Sequence, residues 1–82
     1  MVTLINPERN GDIVSTEYFI ESNENDRGYI EYDVTKDKVI KCSLCQEDSA
    51  SFLKIGANKT VKAIQKLVAA NKFPERYRYI WY

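Results

Sequence analysis

Histidine is absent from the 82-residue chain, which removes the side chain that most often moves protons near neutral pH and most often ligates metals. Three glycines and two prolines leave little material for a disordered linker. The apolar runs span only a few residues, far short of the roughly 20 that a membrane-spanning helix needs. Met1 to Asn10 contain no apolar stretch of the kind that directs secretion. The expectation is therefore a non-membrane, cytoplasmic protein of one folded domain covering residues 1–82.

The two cysteines, Cys42 and Cys45, are too close together to staple a domain. A redox pair works best when its first thiol sits at a helix N-terminus, but Cys42 falls inside an expected strand, and Glu47 and Asp48 follow it. Two thiolates are half of a structural zinc site, and no histidine or further cysteine completes it. Both thiols are read as structural, with Cys42 a small buried hydrophobe and Cys45 at a strand end. No metal, cofactor or catalytic residue is assigned. The serines have no histidine to activate them, and no glycine-rich phosphate loop is present. These absences argue against an enzyme.

What is present alternates. Val14, Thr16, Tyr18 and Ile20 form one set within a strand at Ile13 to Glu21, and the polar run from Ser22 to Gly28 should turn the chain. A second strand spans Tyr29 to Val34, with Ile30, Tyr32 and Val34 inward. A third spans Val39 to Leu44, with Ile40, Cys42 and Leu44 inward. A loop at Lys36 to Lys38 pairs Val34 with Ile40, Tyr32 with Cys42 and Ile30 with Leu44, keeping apolar residues opposite one another. It requires Asp37 or Lys38 to adopt an unusual turn geometry.

Val61, Ile64, Leu67 and Val68 recur at helical spacing and predict a helix over Asn58 to Asn71, capped by Asn58 and ended by Pro74. Ser49 to Ile55 suggests a short helix, with a bend at Gly56. Tyr77 to Tyr82 reads as a final strand running parallel to the first and third. The expected fold is α+β in the order β-β-β-α-β, a mostly antiparallel sheet with one main helix packed on one face.

Zero net charge conceals a division. Met1 to Asp48 hold eleven acids against five bases, whereas Ser49 to Tyr82 hold seven bases against one acid. The helix lysines should face water on one side of the molecule, with Glu17, Glu31 and Asp33 on an open sheet face opposite, making the domain a dipole. The carboxylates lack the cleft that paired-acid hydrolysis needs.

Two binding surfaces emerge. The aromatic end, with Tyr77, Tyr79, Trp81 and Tyr82, is apolar on both faces of a strand and fits a protein partner or self-association at a sheet edge. Alternatively, Lys59, Lys62, Lys66, Arg76 and Arg78 among these aromatics suit single-stranded nucleic acid, provided they form one continuous face. The leading expectation is a non-enzymatic protein-interaction or regulatory domain.

Overall fold

Burial follows the alternation. Val14, Thr16 and Tyr18 are buried while Ser15 and Glu17 between them are not, and Ile30 and Tyr32 repeat the pattern on the neighbouring strand. The computed structural model describes residues 1–50 and 55–80, in which five strands and two helices follow one another. The strands are β1 (Val2–Asn10), β2 (Ile13–Ile20), β3 (Gly28–Asp33), β4 (Lys38–Ser43) and β5 (Arg76–Tyr79). The helices are α1 (Gln46–Ser49) and α2 (Ile55–Ala70). The strands form one sheet in the order β4-β3-β2-β1-β5, with every adjacent pair antiparallel. The chain is thus α+β with one main helix on the sheet, as the sequence led us to expect.

Strand β1 was not foreseen. Val2 and Leu4 face the core, but Asn6 and Pro7 interrupt the alternation, and proline counts against a strand in the middle of a sheet. The structure resolves this conflict with a bulge. Register with β2 shifts between Ile5 and Glu8, and Asn6 takes a left-handed φ of 51°. Asn6 then donates its amide to the Glu75 carbonyl at 2.7 Å, beyond the end of β5. Strand β5 does run in the same direction as β2 and β4, but β1 lies between it and β2.

The β3–β4 register also differs from the expected one. Ile30 pairs with Cys42 and Glu31 with Lys41, after which the register shifts and Tyr32 pairs with Val39. Ile40 is therefore the extra residue of a bulge, and Val39 takes the place on the helix-facing side that was assigned to Ile40. Asp37 does adopt the left-handed geometry, with φ of 52°.

Helix α2 buries Gly56, Thr60, Ala63, Ile64 and Leu67, leaving Val61 and Val68 at the margins of the stripe. It starts before Asn58, which is therefore no cap. Instead Asp48, at 1% exposure, accepts the Gly56 amide at 2.9 Å and the Ala57 amide at 2.7 Å. A carboxylate there satisfies helix-end donors and favours the positive end of the helix dipole. The Tyr18 hydroxyl donates to the same carboxylate at 2.5 Å. Gly56 is helical, not a bend; glycine serves there by its lack of a side chain, since a Cβ would lie 2.6 Å from Ile20 Cδ1 and 2.8 Å from Asp48 Oδ2. At the other end, Asn71 has φ of 53°, and the Lys72 amide reaches back to Leu67, a hydrogen-bonded stop before Pro74. Helix α1 has a distant cap of its own, since the Asp26 carboxylate accepts the Gln46 and Glu47 amides at 2.7 and 3.0 Å. The remainder of the expected Ser49 to Ile55 helix, residues 51–54, lies outside the described residues.

Burial, and then the hydrogen bond to Asp48, hold the Tyr18 hydroxyl well above its ordinary pKa of 10.0. Unfolded tyrosine ionises near pH 10 while folded Tyr18 keeps its proton, so its contribution to stability is complete below that pH and is lost above it. We expect Tyr18→Phe to cost about 2 kcal/mol near neutral pH, from loss of a hydrogen bond to a charged group. Urea melts should show the wild-type advantage about 0.8 kcal/mol smaller at pH ~10.5 than at pH ~8. An advantage independent of pH would show that Tyr18 ionises as readily when folded.

Candidate functional site

Helix α2 packs over β1, β2 and β3 and touches β5, so the edge strand β4 projects beyond the body of contacts beneath the helix. All of β4 is exposed as a result, including Val39 at 41% and Ile40 at 46%. Between β4 and α2 lies a hollow of about 360 Å³ lined by Ile30, Val39, Cys42, Leu44, Ala57, Asn58 and Val61. A second hollow of about 410 Å³ shares Val39, Asn58 and Val61 with the first and continues to Tyr32, Asp37, Lys38, Lys62 and Gln65. Together they make a groove along the sheet edge, apolar at the Leu44 end and polar at the Lys38 end.

The polar end is fixed by hydrogen bonds. The Tyr32 hydroxyl donates to the Asp37 carboxylate, and the Gln65 amide lies 3.3 Å from each of them. The bond to Asp37 is the leading reason that the Tyr32 pKa is raised. Asp37 is therefore engaged within the groove, which Lys38 lines from the strand and Lys62 from the helix.

The burial expected of Cys42 belongs instead to Cys45, which lies just past the end of β4. Cys42 is exposed because β4 is an edge and lines the groove, whereas Cys45 is buried at 2% in the core cluster. Burial pushes both thiols above their ordinary pKa, and the Asp48 charge adds to the effect. Among the described residues, no group of three or more potential metal-ligating side chains stands together.

Of the two surfaces expected from the sequence, the aromatic one is described only in part and the cationic one is split. Tyr77 and Tyr79 pair with Leu4 and Val2, so they turn toward the helix side and are half-buried against the core. Trp81 and Tyr82 lie outside the described residues, and Ile80 is 56% exposed. Arg76 and Arg78 pair with Ile5 and Thr3 on the open face. Lys66 stands over the Tyr79 ring on the opposite side, with its ammonium 5.9 Å away. The cationic residues Lys59, Lys62, Lys66, Arg76 and Arg78 are consequently divided between two faces. Strand alternation makes this unavoidable, because the arginines occupy even positions and the core-facing tyrosines odd ones.

The open face is not the negative pole expected. Glu17 lies 3.8 Å from Arg27, Lys41 stands opposite Glu31, and Arg76 bonds Glu24 at 2.5 Å. The Arg76 pair is the main reason that the Glu24 carboxyl is held below its usual range. A shallow pocket on this face contains Arg76 and Arg78 but also Glu21 and Glu24, and Met1 at its rim bonds Glu21 through its ammonium group. Its charges answer one another. Asp33 is nearly buried and accepts the Lys36 amide in the following turn.

The sequence conceals the groove because regular alternation through Cys42 and Leu44 places Ile40, not Val39, inward. One signal pointed to it: Val39 and Ile40 are adjacent apolar residues between Lys38 and Lys41, so one of them must face outward in a regular strand. No protein-family model matches the chain, and no match emerged among curated proteins or solved structures.

The two thiols differ in a way that a chemical titration reads directly. We expect one cysteine, Cys42, to react with a small disulfide reagent in the native protein at mildly alkaline pH. Cys45 should react only with denaturant present. Equal native reactivity would contradict the burial of Cys45.

Proposed function

We propose that this chain is a non-enzymatic protein-interaction domain that receives an extended peptide along β4, in the groove beneath α2. One observation carries the reading: an apolar groove adjoins an edge strand whose outer side has no strand partner among the described residues. A peptide added there gains main-chain hydrogen bonds from β4 and can place alternate side chains under the flank of the helix. Its backbone groups are satisfied by the strand and its apolar groups by Val39, Leu44, Ala57 and Val61. The exposed Val39 would thereby lose contact with water.

The groove walls are hydrogen-bonded and packed, which limits the ordering needed in the domain when a ligand arrives. The aromatic residues of β5 contribute by holding the far side of the core. Single-stranded nucleic acid is less well served, since the two arginines lie across the sheet from the helix lysines.

The test is an amide-shift titration of the labelled protein with a pool of short proline-free peptides. Shifts should concentrate in Val39 to Ser43 and along Ala57 to Gln65. Shifts confined to Phe19, Tyr29 and Arg76 on the open face, or no shifts, would contradict the reading.

A further inference from the structure

We infer that the segment received by this groove is acidic as well as apolar, with a side-chain carboxylate two residues along from an aliphatic residue, on the same face of the extended segment. The inference rests on the peptide-docking reading above and adds the chemistry of the partner. The apolar end of the groove, between Cys42, Leu44, Ala57 and Val61, offers no charged side chain to a ligand. The other end presents Lys38 from the strand and Lys62 from the helix, on opposite walls of the same hollow. Its one carboxylate, Asp37, accepts hydrogen bonds from Tyr32 and Gln65, neutral donors that leave its charge in place, so the lysines outnumber it two to one. An extended segment lying along β4 places one side chain in the apolar end while another, two residues away, reaches the paired ammonium groups. A carboxylate there meets two cations at once, and a lysine would meet two like charges.

The same charges decide against a second copy of this chain as the occupant. Two β4 strands aligned edge to edge bring Lys38 and Lys41 of each copy near those of the other, with no carboxylate in either strand to offset them. An acidic strand reverses the sign of this effect. Arrangement along the groove, and not overall charge, makes the distinction, because the whole protein has a net charge of zero.

Three synthetic peptides of equal length test the inference with the intact protein, repeats of Val-Thr-Glu-Thr, Val-Thr-Thr-Thr and Val-Thr-Lys-Thr, denoted Val-Glu, Val-Thr and Val-Lys. Binding is measured by anisotropy and located by amide shifts. The Val-Glu peptide should bind about tenfold more tightly than Val-Thr at low salt, as a few partly exposed ion pairs allow. Val-Lys should bind most weakly, and the differences should largely disappear in ~1 M salt. Combining Lys38→Glu with Lys62→Glu should reverse the order. Lys72→Glu, which alters an exposed residue away from the groove, should leave it unchanged, and each single lysine variant provides a second reading if the double variant loses its native spectrum. Equal binding of Val-Glu and Val-Thr on β4 would overturn the acidic preference while leaving the docking reading intact. No shift in β4 or α2 with any peptide would overturn both. Cross-strand contacts between two β4 copies would overturn the inference in favour of self-association.

Discussion

A single buried carboxylate joins the parts of this protein that the sheet alone cannot join. Asp48, within α1, accepts the hydroxyl of Tyr18 from the middle of the sheet and two amides from the first described turn of α2. A charge at 1% exposure is tolerable only because donors surround it, and these three donors come from two elements, β2 and α2. The arrangement fixes where α2 begins above the sheet. Small residues surround it for the same reason: Gly28 leaves room for the Tyr18 ring, and Gly56 for Asp48 and Ile20. The position of α2 sets the width of the groove beside β4.

The groove follows from a mismatch in breadth. One helix of this length covers three neighbouring strands, so a five-stranded sheet must leave an edge beyond it. On the β5 side, Tyr77 and Tyr79 fold back against the core and fill the margin with their own rings. On the β4 side, the corresponding positions are Val39 and Cys42, which are too small to do so, and the margin stays open. The open face is protected differently. Arg76 lies over Phe19, and Lys41 over Tyr29, with long cationic side chains covering aromatic surface.

Features set by local chemistry were legible in the sequence. The alternation of Val14, Thr16 and Tyr18 located β2 and its buried face, and the spacing of Ile64 and Leu67 located α2. Asn71 and Pro74 marked its end. The features that remained hidden depend on distant partners. Asn58 has the composition of a cap, yet the helix is capped by a carboxylate from eight and nine residues upstream, which no local pattern encodes. Asn6 and Pro7 argue against a strand when read alone, and only pairing with β2 on one side and contact with Glu75 on the other makes β1 intelligible. The groove belongs to this second class, because whether Val39 or Ile40 faces the helix is decided by a bulge one residue long.

If Asp48 fastens α2 to the sheet, the amides it accepts should behave as part of the core although they lie in the first turn of the described helix. Hydrogen exchange of the full chain at neutral pH measures this residue by residue. The account predicts that Gly56 and Ala57 exchange as slowly as the central amides of β2 and speed up together when Asp48 is replaced by Asn. Exchange of these two amides at rates typical of a frayed helix end, with the β2 amides still protected, would contradict it.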